Sequence, residues 1–438
     1  MAKANHERPP VTEDPTTWPT GCPILGFALS RSPARERRQV TAKVIVRSAC
    51  GRVRPVVHRF ELALPIAGFA PHHLLMNTTH VTARSRQLRL ESPGELVELV
   101  PYLLGFHPTD SVVVLALRGP RREISFRARS DLVSDDDAVE LARRLAEVLV
   151  RNDTEAVAIV VYPPSDWPGD FEMLQAAFEA ALAAADIKIV EFARVEKGRW
   201  WSLLCADPSC CPADGLPVPT EASGASVVAA EMTYAGATAL PSREALVATL
   251  QPRGLLARAA MDQATARAEE DWIGRLLGGS TLGAWRDEVE GLHGRVVDRW
   301  SAGDRSLSDD DAAQLIVGLS DKRVRDRCLG VVDSPLRPAA RELWAELVRR
   351  AAPPDVAPPA TLLAWAAWQD GEGALANIAL DRALISDPTY ELARLLAHGL
   401  AHGVPPSAGA GLAHLAAHDT QLKAKPTKRK RGRRRNSG

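Results

Sequence analysis

Three of the six cysteines in this 438-residue chain lie within seven positions: Cys205, Cys210 and Cys211. Thiolates are ligands for soft metal ions and partners in disulfide exchange, and a turn that returns the chain within four residues brings two sulfurs to one ion. The loop around them, LLCADPSCCPADG, is rich in Asp and Pro. Its C-x4-C-C spacing departs from the C-x2-C of common zinc sites, and adjacent cysteines rarely ligate one ion together. A fourth ligand has to come from elsewhere, such as Asp207 or a distant histidine. Three readings stand: a zinc site, a thiol redox site, and a packed structural loop. A second group is GFHPTDS, where His107, Asp110 and Ser111 put a base, a carboxylate and a hydroxyl within five residues. These are side chains of acid–base and nucleophilic catalysis. Triads, however, are assembled from distant segments, and Asp, Ser and Pro are equally the residues of a turn.

The pairs His398/His402 and His414/His418 are spaced i, i+4, so two imidazoles on one helical face could chelate a metal. No H-E-x-x-H accompanies them, and an exposed helix face is the plainer expectation. The tail over 423–435 carries nine basic residues and no acid. There Lys428, Arg429, Lys430, Arg431, Arg433, Arg434 and Arg435 are the candidates for contact with nucleic-acid phosphates. They would act by charge alone, since no aromatic is interleaved to stack on bases. A solvated, disordered tail over 423–438 is the alternative.

Net charge is zero over the whole chain, yet residues 76–422 hold 34 basic against 49 acidic side chains, a net of −15. Such a body repels phosphates, so nucleic acid is expected on the tail and not on the folded faces. The 45 arginines against nine lysines point to a GC-rich genome. No phosphate loop, dinucleotide fingerprint or kinase signature is present. No run of 18 apolar residues occurs, and the opening residues lack the apolar core of a signal peptide. With too few cysteines for a disulfide framework, a cytoplasmic protein is expected. The cofactor is unknown, zinc at the cysteines being the one candidate.

The elements that must position these groups begin after residue 85. Over 1–85 the pattern has no lasting period and reads as a disordered extension, or as a misassigned start with Met76 as the true one. Ser92-Pro93-Gly94-Glu95 is a capping box that opens a helix ending at Gly105. Residues 112–117 form an apolar run, a strand buried on both faces, and 124–128 alternate as its half-buried partner. Ser134 is placed to cap a helix with one apolar stripe. A strand follows at 156–162, then a helix at 171–185. A hairpin of 187–195 and 200–205 puts Trp200 and Trp201 on opposite faces. This order predicts an α/β module over 86–250, a mixed sheet with flanking helices. The 251–422 region predicts an all-helical module, with Trp365 and Trp368 in its core.

The runs SPGELVELVPYLLGFHPTDSVVVLALRG, LLCADPSCCPADGLPVP and LLAWAAWQDGEGALANIALDRALISDPTYELARLLA resemble, in that order, domain-of-unknown-function family 4192, a family of uncharacterised actinobacterial proteins. The resemblance spans residues 92–398 and implies no activity and no catalytic residue. The last run is also similar to one tetratricopeptide helix hairpin over 359–388, with Gly371 at the turn. Ala376, Leu380, Ala383, Leu384 and Pro388 stand at its small, large, small, large and terminal-proline positions. A solenoid needs about three repeats, and one is found. With no catalytic motif, the expectation is a protein-interaction or regulatory protein with an unidentified protein partner and no membrane. An enzyme with its site near the cysteine loop is the alternative, and nucleic-acid association through the tail is a third. A pocket joining His107 to the cysteines would favour the enzyme; an open helical groove would favour the partner.

Overall fold

The computed structural model describes residues 92–167, 169–219 and 226–409, together with Leu88, Leu90 and the backbone of two strands, β1 (Val40–Arg47) and β2 (Val57–Leu64). Apart from these strands, the expectations for 1–85 lie outside the described residues, as do those for the tail over 423–438 and for His414 and His418. β1 and β2 pair antiparallel with each other.

Local signals explain the elements that follow. Ser92 caps α1 (Pro93–Leu104), its Oγ accepting the Glu95 N–H at 3.3 Å, and proline takes the first position, where no N–H is needed. Gly105, at φ 81°, ends the helix in the left-handed conformation that glycine adopts without strain. β3 (Ser111–Arg118) and β5 (Ala156–Tyr162) are apolar and buried on both faces, as central strands under two layers of helix must be. β4 (Glu123–Asp131) is half-buried beside β3. Ser134 stands at the N-cap of α2 (Asp135–Arg151), but its side chain makes no capping bond; three aspartates in the first turn complement the helix dipole instead. α3 (Phe171–Ala184) leads to β6 (Lys188–Glu196). Lys197 and Gly198, at φ 49° and 73°, make the two-residue turn into β7 (Arg199–Ser202). β7 therefore stops short of Cys205, leaving the cysteines in a loop.

The sheet runs β4-β3-β5-β6-β7-β8, with β8 (Leu216–Pro217) at its edge. β5 and β6 are parallel, and the other neighbours in this run are antiparallel. α1 and α4 (Val227–Tyr234) cover one face, α2 and α3 the other. The mixed α/β class is as expected; β8, α4 and α5 (Arg243–Ala248) are elements the sequence pattern did not signal.

From α6 (Leu255–Leu277) onward the described elements are helical: α7 (Leu282–Ser301), α8 (Asp309–Leu319), α9 (Lys322–Leu329), α10 (Arg337–Arg350), α11 (Ala357–Gln369), α12 (Gly373–Ser386) and α13 (Glu391–Ala401). They share one core, and α11 is buried at every position from 357 to 368, the central helix of a bundle. Gly371, at φ 76°, turns the chain into α12, which lays Ala376, Leu380 and Ala383 into that core. No helix among the described residues is long and apolar enough to cross a membrane. Sheet and bundle are tied together: Arg127 of β4 donates from Nη2 to the Gly371 carbonyl at 2.7 Å, and Asn152 after α2 donates from Nδ2 to the Gly403 carbonyl at 2.9 Å.

Candidate functional site

The carboxyl ends of parallel strands leave a crevice, because the chain there turns away toward its helices. At the ends of β5 and β6 that crevice is a cleft of about 1020 Å³. Val97, Glu98, Pro101 and Tyr102 of α1 form one wall. Residues 107–110, Tyr162 and Pro163 at the end of β5, the β6–β7 turn, Val218 and Pro219, and the segment after α4 complete it. Its size is at the upper end of small-molecule sites, about 300–1000 Å³.

Backbone bonds fix the rim. The His107 N–H donates to the Leu240 carbonyl at 2.9 Å and the Leu240 N–H to the Gly105 carbonyl at 2.9 Å, a bridge anchored by fully buried Phe106. The Asp110 carbonyl accepts the Leu132 N–H at 2.9 Å. Glu98 is buried and accepts from the Ser226 hydroxyl, whose oxygen caps α4 by accepting the Ala229 N–H at 2.9 Å. Arg194, and Lys197 at 3.1 Å, hold the Glu196 carboxyl below the usual carboxylate range. Tyr162 differs from these. It is only 8 % exposed, its hydroxyl is buried, and that hydroxyl has no hydrogen-bond partner among the described residues. Burial pushes its pKa up, so the phenol is neutral and holds a proton to donate.

Of the three residues in GFHPTDS, His107 and Asp110 line the cleft and Ser111 does not. Ser111 opens β3 fully buried; its hydroxyl donates to the Thr109 carbonyl and accepts from Arg129 Nε at 2.9 Å. It is turned to Arg129 and not to His107, so this geometry contains no Ser–His pair.

The cysteines form a separate group. Their three sulfurs all lie within 4.8 Å of one another, with Cys205 and Cys210 at 3.1 Å and Cys210 and Cys211 at 3.8 Å. Cys205 and Cys211 line a second cavity of about 180 Å³, beside Trp201 and Arg194, that shares no lining residue with the large cleft. A pocket joining His107 to the cysteines is therefore not formed. The Asp207 carboxylate accepts from the Ser209 N–H at 2.9 Å and the Ser209 hydroxyl at 2.7 Å. The His398 and His402 rings lie with centres 4.0 Å apart, tilted by 35°, and His402 Nδ1 lies 2.8 Å from the His398 carbonyl. No third ligand joins them among the described residues, where the cysteines are the one group of three potential metal ligands. Trp200 is buried and Trp201 half-buried, the opposite faces that strand alternation requires.

A family model described as Domain of unknown function (DUF4192) matches residues 93–407. The chain belongs to that family. The DUF4192 match starts with α1 and runs through α13, so sheet, bundle, cleft and thiol loop all fall inside it. No curated protein and no solved structure matches the chain. The cleft residues that the sequence pattern missed are Glu98, Tyr102, Tyr162 and Lys197. One signal was available: β5 is apolar until its last residue, where Tyr162 precedes Pro163-Pro164 at a strand's carboxyl end.

Proposed function

We propose that the α/β module binds a small organic ligand in the cleft at the ends of β5 and β6, and that the protein is a regulatory or interaction protein whose helical module meets a protein partner. The unpartnered Tyr162 hydroxyl carries this reading. A buried polar group without a partner is worth about 1–3 kcal/mol of lost stability, and a ligand atom that bonds it recovers part of that. Val97, Pro101, Tyr102, Pro163, Val218 and Pro219 offer apolar walls to the ligand's body. Glu98, Asp110 and Glu196 outnumber Lys197, so a neutral or cationic head group is favoured over an anionic one. The tetratricopeptide-like spacing of α11 and α12 supports the partner, as do Ile385 on α12 and Leu395 on α13, both large and exposed.

A thermal-shift screen of amines and neutral metabolites against the full chain tests the ligand. Compounds that stabilise the wild type and lose several-fold in affinity with Tyr162→Phe support the cleft. Hits that bind Tyr162→Phe and Glu98→Gln unchanged, or the absence of any hit, overturn it. Catalysis in the same cleft is a second reading, favoured by the place of His107 and Asp110 on its rim. Turnover of a bound compound that His107→Ala abolishes without loss of binding would establish it.

A further inference from the structure

We propose that Cys205, Cys210 and Cys211 form a three-thiolate site for a soft divalent cation of the zinc class, which clamps the loop over 203–215 onto the edge of the sheet. The C-x4-C-C spacing leaves a zinc site as one of three readings, and the sulfur geometry selects it. A zinc–sulfur bond of about 2.3 Å puts two sulfurs on one tetrahedral ion roughly 3.8 Å apart. The observed separations, 3.1 Å for Cys205–Cys210 and 3.8 Å for Cys210–Cys211, with all three sulfurs within 4.8 Å, bracket that value. A disulfide needs two sulfurs at about 2.05 Å and has no use for a third. Here Cys210 is flanked on both sides, the arrangement of a shared ion.

The turn that makes this possible is local. The Cys210 and Cys211 N–H groups both donate to the Asp207 carbonyl, at 3.2 and 2.8 Å, which lets adjacent cysteines face one point. The Asp207 carboxylate is occupied by Ser209, so the described residues supply three ligands and leave a fourth position to water or another small donor. Binding of a divalent ion by three thiols forms three metal–sulfur bonds and releases three protons, so affinity rises with pH. The loop has no regular structure between β7 and β8. Its other anchors include the Leu203 N–H on the Phe192 carbonyl at 2.7 Å, the Trp201 indole N–H on the Ala213 carbonyl at 2.9 Å and Arg199 Nη2 on the Gly215 carbonyl at 2.7 Å.

The test uses the full chain, purified under reducing conditions and titrated with cobalt(II) and then zinc(II). The expected result is one equivalent of metal, a thiolate-to-cobalt charge-transfer band that zinc removes, and zinc protection of three of the six thiols from a thiol reagent. Cys205→Ser and Cys211→Ser should each weaken metal binding by at least tenfold. Cys328→Ser, in the helical module, should leave it unchanged. Six thiols that all react with the reagent in unfolding denaturant, and are unprotected by zinc in the native chain, would overturn the site. So would a reduced, folded wild type that takes up no cobalt. Neither outcome touches the cleft, whose ligand screen reads a different group of residues.

Discussion

Tyr162 joins local stability to the proposed ligand cleft through one atom. Its hydroxyl lacks a partner among the described residues, so Tyr162→Phe removes an unsatisfied group without removing the ring that packs under α1. The variant should be more stable than the wild type by about 1 kcal/mol in denaturant unfolding while binding ligand less tightly. A destabilised Tyr162→Phe would show that the hydroxyl is already bonded. His293 is the opposite case, a buried polar side chain that is satisfied. It stacks on Trp344 with ring centres 6.0 Å apart, and its Nε2 accepts the Trp344 indole N–H at 3.2 Å, so the neutral ring is the form the core holds. Burial pushes its pKa down from 6.5 to about 4. Between those two values the unfolded chain binds the proton and the folded chain does not, so stability is full above pH 6.5 and falls as the pH drops toward 4. The loss from this one group approaches about 3 kcal/mol. His293→Gln keeps an acceptor for Trp344 and removes the titration, so its stability should depend less steeply on pH over that range. An unchanged slope would assign the acid limb to other groups.

Helix pairs in the bundle are set by a few close approaches. Gly318 lies inside α8, where glycine is about 1 kcal/mol worse than alanine on propensity alone. It stands there because a Cβ would come 2.3 Å from Val289 Cγ1 on α7. Gly318→Ala should therefore destabilise the protein by about 1–3 kcal/mol despite its better helix propensity. Adding Val289→Ala should recover part of the loss in thermal melts. Additive losses in the double variant would show that the clash is not what holds glycine in place. In the sheet, Gly94 plays a similar part for α1, since a Cβ there would lie 3.2 Å from the Trp200 indole nitrogen.

At the scale of the whole molecule, the question is whether sheet and bundle unfold together. Gly403, at φ 62°, sits where a Cβ would come 2.2 Å from Val148 Cγ1 of α2, and its carbonyl receives Asn152. Gly403→Val meets both a strained backbone and a clash at this junction. It should cost about 2 kcal/mol or more, and split a single unfolding transition into two if the modules are cooperative only through their contact. One unchanged transition would place their coupling elsewhere, for example at Arg127 and the Gly371 carbonyl. This coupling also gives the proposed function a route, because the same sheet carries the cleft at one end and touches the α11–α12 turn from β4.

Much of this architecture was written in short stretches of sequence. Ser92, Pro93 and Gly105 bound α1, the unbroken apolar run of 156–162 is β5, and Ser308 caps α8, because caps and periodicity act within a few residues. β8, with two residues, is too short to carry a period, and α4 and α5, with eight and six, are short helices opened by the Ser226 and Ser242 caps. The candidate site was legible in part. His107 and Asp110 stood together in one short run and the three cysteines in another, but the walls that close around them were not visible. Strand order puts Tyr162 beside α1 and the β6–β7 turn, and it separates the cysteines from His107. Ser111 shows the same division: its type suggested a nucleophile, and pairing of β3 with β4 gave its hydroxyl to Arg129. Local propensity and capping are decided by neighbours along the chain, whereas a cleft is decided by which distant segments close around it, and only the packed sheet sets that.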